Sequence, residues 1–213
     1  MATILNTPEQ KVILRSVSWE TYERLLAERG ESPGARFHYD QGILEIMAPS
    51  FEHESLKDSI ALLVQLVAIE TEADFRGAGS TTFRRSDLGK GFEPDACFYI
   101  QNAPRVRGLK EIDLTQDPPP DLVIEIDITR SSLNKLAIYS AIEVPEVWRF
   151  AGYELRIFRL QGGQYVENPQ STVLPCVTAS ILTEFVQTSL KLETNAWVRS
   201  VRAWAQQYSG GNQ

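Results

Sequence analysis

The segment Val123-Ile124-Glu125-Ile126-Asp127 sets two carboxylates into an otherwise apolar run. In an extended strand, alternation sends Glu125 and Asp127 to one face and Ile124 and Ile126 to the other. Separated by about 7 Å along the strand, the two acids repel unless a positive group lies between or beside them. A solvent-facing edge strand would relieve the repulsion. The apolar content of the run, and Pro118-Pro119-Pro120 just before it, point instead to an interior strand, where an unpartnered acid is expensive. Asp95 is the complement. It follows Pro94 at the entry to Ala96-Cys97-Phe98-Tyr99-Ile100. Proline has no N–H for a ladder, so it marks a strand start from which the next side chain can project towards a site. Pro-Asp alone recurs in turns, and it gains weight only from the acid-bearing strand downstream.

Two carboxylates from neighbouring strands, completed by a backbone carbonyl such as that of Ile126, form an open oxygen-rich site suited to Mg²⁺ or Mn²⁺. Such a metal polarises a phosphoryl oxygen and lowers the pKa of a bound water. Lys135, in the first turn of the helix expected after Glu125, is the candidate to orient that water and to offset charge on phosphorus. An ordinary solvated helix lysine is the other reading of it. Tyr139, four residues on, shares its helical face.

The elements that must position these residues follow from pattern. Ser18 caps a helix that ends at Gly30, with Tyr22, Leu25 and Leu26 as its apolar face. A hairpin follows, Arg36 to Asp40 and Ile43 to Met47 around a Gln41-Gly42 turn, and its second strand carries Glu45. The longest helical pattern runs from Glu52 to Thr71 with a stripe of Leu56, Ile60, Leu63, Val64 and Val67; one turn back, the stripe reaches His53. A satisfied core histidine and a site residue are both open for His53, and Glu54 lies one residue off the stripe. Short strands are expected at Thr81 to Arg84 and Pro94 to Ile100, separated by the glycine-rich Ser86 to Phe92, and a polar loop from Gln101 to Pro120. Beyond the central strand, Ser131 and Ser132 offer caps for a helix over Leu133 to Ile142. Strands then follow at Glu146 to Phe150, Tyr153 to Leu160 and around Tyr165-Val166, and helices over Ile181 to Leu190 and Ala196 to Tyr208. Trp197, Val201, Trp204 and Tyr208 share one face of the last helix, as core or as a dimer interface. The order of elements predicts an α/β fold, a mixed sheet flanked by helices. It forms one domain over residues 1–208, with a core at about 36–160 and a disordered tail at 209–213.

Pro94-Asp95, Val123 to Ile126, Lys135, Tyr139 and Val144-Pro145-Glu146-Val147-Trp148 together resemble the Uma family, a restriction-endonuclease-like group. Ile46-Met47-Ala48-Pro49-Ser50, followed by His53, resembles its N-terminal motif. The similarity covers about Ser18 to Leu160. It implies the PD-(D/E)xK core, a Mg²⁺ requirement and phosphodiester cleavage. One departure stands out. The motif lysine belongs two residues after the second acid, where this chain has Asp127. The resemblance implies that the lysine has migrated to the helix as Lys135, and that His53 approaches the metal cluster. Asp127, Glu45 and Glu54 are secondary candidates.

Composition bounds the partners. A formal net charge of −7 gives no global basic footprint for nucleic acid. Basic residues do cluster locally at Arg84 and Arg85, at Arg105, Arg107 and Lys110, and at Arg130. Arg84, Arg85 and Arg130 are the candidates to meet a phosphate backbone; scattered surface charge is the alternative. No apolar run approaches the ~20 residues that span a bilayer, and the N-terminus lacks a signal-peptide pattern. Cys97 and Cys176 form no paired framework, which fits a cytoplasmic protein. Neither a Cys/His zinc cluster nor a phosphate-binding glycine loop is present in the sequence. The expected function is a metal-dependent endonuclease acting on DNA, as a homodimer. The alternatives are a nuclease-like scaffold that binds nucleic acid or protein without cutting, and a hydrolase of another phosphoester.

Overall fold

The computed structural model describes residues 9–30, 34–128 and 133–209. Two sheets carry the architecture. The first is a five-stranded antiparallel sheet of β1 (Gln10–Leu14), β2 (Arg36–Asp40), β3 (Ile43–Ala48), β5 (Phe83–Arg85) and β6 (Lys90–Phe92), in the order β1-β3-β2-β6-β5. The second has six strands: β4 (Arg76–Gly77), β7 (Ala96–Tyr99), β8 (Leu122–Asp127), β9 (Glu146–Ala151), β10 (Glu154–Gln161) and β11 (Gln164–Asn168). Its order is β11-β10-β9-β8-β7-β4, and β8 with β9 is its one parallel pairing among the described residues. The helices are α1 (Trp19–Arg29), α2 (Phe51–Glu70), α3 (Ala103–Val106), α4 (Lys135–Ala141), α5 (Ala179–Ser189) and α6 (Thr194–Ala205).

The locally encoded elements form where the pattern places them. Ser18 Oγ accepts from Thr21 N at the start of α1, and Gly30 closes the helix at φ +61°. β2 and β3 pair across Gln41-Gly42. Two expectations need correction. The expected first strand at Thr81 to Arg84 begins only at Phe83, and the glycine-rich segment after it is not merely a separator: Lys90–Phe92 is β6, joining β2 to β5. The polar loop 101–120 contains the single turn of α3. β1 was absent from the pattern, because Gln10–Leu14 alternates exposed and half-buried residues on a sheet edge. The expected helix caps Ser131 and Ser132 lie outside the described residues, as do 210–213 of the expected tail. Ser209 is described, and its hydroxyl donates to the Glu70 carbonyl.

Gly91 in β6 allows the two layers at α1 to close. A Cβ there would lie 2.3 Å from the Tyr22 hydroxyl oxygen and 2.8 Å from its Cζ. Tyr22 is fully buried and stacks on Tyr39 with ring centroids 4.8 Å apart. Gly91→Ala is therefore expected to destabilise the fold by about 1–3 kcal/mol, the usual range for overpacking. Urea denaturation checks this, and an unchanged midpoint would contradict the packing described.

The central strands β7, β8 and β9 of the six-stranded sheet are buried on both faces. Ile124, Ile126, Trp148 and Phe150 pack against α2, α5 and α6, while Cys97, Tyr99, Val123 and Val147 pack with Ile138 and Tyr139 of α4. Trp197 and Val201 belong to the first of these cores, so this part of the α6 stripe is interior. On β8 the Ile124 side is filled by hydrocarbon, and the Glu125 side looks towards α4 and the first sheet.

Candidate active site

Glu125 lies mid-strand on β8, between β7 and β9, with 3% of its surface exposed. Lys135, the first residue of α4, donates from Nζ to Glu125 Oε2 at 2.6 Å. One turn on, the Tyr139 hydroxyl donates to Oε1. The expected interior position of this strand, and the positive partner it demands, are both present. Asp95, 1% exposed, precedes β7. Its Oδ2 accepts from Ile126 N at 2.7 Å, and its Oδ1 lies 3.1 Å from Arg36 Nη1. His53, near the start of α2, is fully buried with Nε2 3.3 Å from Asp95 Oδ2. Ser50 Oγ accepts from the His53 N–H, which fixes the turn that presents the ring.

Two residues of the cluster were not expected from the sequence. Arg36 joins Asp95 to Glu54, donating from Nη2 to Glu54 Oε1 at 2.6 Å. His38, fully buried on β2, places Nε2 3.4 Å from the Tyr139 hydroxyl and 3.8 Å from Glu125 Oε1. The alternation Arg36-Phe37-His38-Tyr39 was the available signal. It reads as a half-exposed strand, yet its polar face is buried against the acids of the other sheet.

The electrostatics follow from burial and pairing. Burial alone would raise the Glu125 carboxyl, but the Lys135 ammonium and His38 outweigh it and hold the group well below the usual carboxylate range. Burial would likewise lower Lys135; Glu125, then Asp95 and Asp127, raise it above its ordinary value. Burial, then the Glu125 carboxylate, pushes the Tyr139 phenol far up, so it remains a donor. The cluster is thus a compensated set of buried charges.

Asp127 shares the face of Glu125 and accepts from Arg149 Nε. Glu45 is fully buried on β3, opposite His38 in the β2–β3 register. Glu54 stands between Arg36 and Lys57, whose Nζ donates to it at 2.7 Å. Arg84 and Arg85 sit on β5, two strands from β2. Arg84 lies 3.7 Å from Glu23, and Arg85 donates from Nη2 to Asp87 at 2.6 Å. A phosphate backbone would have to compete with those carboxylates. Arg130 lies outside the described residues.

Two depressions reach the cluster. A cavity of about 280 Å³ is lined by Glu125, Asp127, Lys135, Tyr139 and Arg149, with apolar walls from Leu133 and Val147. A groove of about 980 Å³ runs past Arg29, Arg36, Glu54, Lys57 and Thr82.

These features bear on a metal. Asp95 and Glu125 present hard carboxylate oxygens, the donor type of Mg²⁺ and Mn²⁺. Asp95 Oδ1 is buried without a hydrogen bond among the described residues, and the Ile126 backbone lies at the same spot. The donor type suits a hard divalent ion, which would have to displace or share the Lys135 and Tyr139 contacts to the two Glu125 oxygens. Among the described residues no three His, Cys, Asp or Glu side chains converge on an ion position, so a site supplied entirely by such side chains is not formed there.

The model of the family Uma2, described as "Putative restriction endonuclease", matches residues 19–193. The chain belongs to the Uma2 family. Among solved structures, the fold is similar to the crystal structure of a putative nuclease belonging to DUF820 from Anabaena variabilis ATCC 29413. That match has a TM-score of 0.50 at 14% identity and covers 84% of this chain and 96% of the other. No curated protein matches the chain. With the Uma2 assignment, the mixed sheet flanked by helices is a restriction-endonuclease-like fold, and the first sheet is the layer that brings Arg36 and His38 to its acids. Among the described residues, no helix is long and apolar enough to cross a membrane.

Proposed function

We propose that this Uma2 chain is a metal-dependent endonuclease that hydrolyses phosphodiester bonds in DNA, with Mg²⁺ or Mn²⁺ as cofactor. The observation that supports the reading is the buried Glu125–Lys135 pair at the wall of a cavity, with Asp95 bonded to the neighbouring Ile126 N–H, in a chain of this family. Asp95 and Glu125, with the Ile126 carbonyl as a further ligand, are the residues that would hold the ion. An ion bound there supplies Lewis-acid polarisation of a phosphoryl oxygen and a water of lowered pKa.

The chain's own groups do the remaining work. Lys135 Nζ carries three donors, of which Glu125 takes one. The others can orient an incoming water and offset charge growing on phosphorus. Tyr139 holds Glu125 by its other oxygen, and Arg36 holds Asp95. His53, with Nε2 3.3 Å from Asp95 Oδ2, can donate to that carboxylate. Cutting both strands of a duplex uses two sites, so a homodimer belongs to the proposal.

One observation favours a second reading, a scaffold that binds without cutting. Each acid of the pair already faces a cation of the chain, Glu125 at 2.6 Å and Asp95 at 3.1 Å. The two readings separate on supercoiled plasmid incubated with purified protein and Mg²⁺, Mn²⁺ or EDTA. Nicking with either metal and none in EDTA is the expected result. No nicking with either metal, by folded protein that retards the same plasmid in a gel, would give the scaffold instead.

A further inference from the structure

The place of the motif lysine, two residues after Glu125, is taken by Asp127, and a cation comes to it from the neighbouring strand. β8 and β9 run parallel with Glu125 beside Arg149, so Arg149 leaves the same face as both acids. Its Nε donates to Asp127 Oδ2. A guanidinium has five N–H donors, and the Arg149 side chain makes no other bond to a described residue. The side chain is 41% exposed and lines the cavity with Glu125, Lys135 and Tyr139. The Lys135 side chain is only 8% exposed and is engaged by Glu125. Among the described residues, Arg149 leaves four of its five donors without a partner and Lys135 two of its three, and Arg149 is the far more exposed of the two. Asp127 is held below by the same pair, its side chain 9% exposed and its Oδ1 without a hydrogen bond among the described residues.

We infer that Arg149 binds the non-bridging oxygens of a substrate phosphate at this cavity, and that Asp127 is the residue that positions its guanidinium. The substrate class rests on the nuclease reading. The chemistry suits binding and excludes a proton-transfer role, because arginine stays protonated at every working pH. Its planar fork matches two phosphate oxygens, whereas a lysine in the motif position offers a point charge. Arg149 therefore returns a cationic donor group to the place where Asp127 stands instead of the motif lysine, within a pair of zero net charge.

The test is binding of a fluorescein-labelled single-stranded oligodeoxynucleotide, read by anisotropy in EDTA over a range of salt. Arg149→Gln is expected to weaken binding by about tenfold, as for loss of a charge-assisted bond. The slope of log affinity on log salt should fall by about one. Arg149→Lys keeps the charge and should keep the slope while recovering only part of the affinity. Asp127→Ala should keep the slope and weaken binding, with Asp127→Glu restoring it, a rescue that a loss of folding alone would not give. Wild-type affinity and slope in folded Arg149→Gln would overturn the inference, as would failure of the wild-type protein to bind the oligonucleotide. The plasmid assay is independent. A protein that nicks with Mg²⁺ but is indifferent to residue 149 keeps the nuclease and loses this inference. One that binds through Arg149 and never nicks does the reverse.

Discussion

Glu125→Ala is expected to remove metal-dependent nicking and to lower stability in the same protein, whereas Glu125→Gln removes the nicking with a smaller loss of stability. Alanine leaves the Lys135 ammonium without the carboxylate it meets at 2.6 Å, and it leaves the Tyr139 hydroxyl without its acceptor. Breaking a buried pair from one side costs about 3–5 kcal/mol, because the surviving charge keeps its desolvation penalty. Glutamine retains an oxygen that either donor can use, and Asp95 and Asp127 still bear on Lys135. Neither variant offers the anionic oxygen that a hard cation requires, so both should lose nicking by about a hundredfold or more. Plasmid nicking and thermal melting, measured on the same preparations, separate the two effects. Glu125→Gln that still nicks within about tenfold of wild type would remove Glu125 from the metal-holding role.

What the sequence makes legible here is what is local. Ser18 and Gly30 bound α1 because capping needs only nearby atoms, and Gln41-Gly42 closes its hairpin for the same reason. Glu125 stands out in the sequence because a charge inside an apolar strand demands a partner, and Lys135 is near enough in the chain to be that partner. The first sheet is less legible. β6 is three residues long with Gly91 at its centre, and it exists because β2 and β5 flank it. With β6 unseen, nothing in Arg36-Phe37-His38-Tyr39 says that its polar face is covered, so Arg36 and His38 pass for surface residues. Arg149 is hidden in another way. Its strand is evident, but its pairing with Asp127 depends on a parallel register between β8 and β9, which neither strand specifies by itself. Glu93, next to Pro94, is not among the acids the pattern singles out. It accepts from the Phe37 N–H at 2.8 Å and from Arg29 at 2.6 Å, anchoring the first sheet.

Lys135→Met should invert the pH dependence of stability. In the wild type the Glu125 carboxyl is held below its ordinary value of 4.5, so its contribution is present above that value and lost as pH falls below it. Lys135 is raised above its ordinary 10.5, so its contribution is present below that value and lost as pH rises beyond it. Between the two the pair stabilises evenly, and the wild type should show a flat profile from this source across neutral pH. Methionine fills much of the lysine volume without charge, and burial then becomes the main influence on Glu125. Its carboxyl moves up, and a raised carboxyl contributes stability below its unfolded value that disappears as pH climbs through the folded one. The variant should therefore be most stable in mild acid and weaken towards neutrality, with a deficit at neutral pH of about 3–5 kcal/mol. Urea denaturation at a series of pH values reads this directly. A variant that keeps the flat wild-type profile would show that Glu125 does not depend on Lys135 for its charge, and Lys135 would then be free to act as a water-orienting donor without disturbing the acid beside it.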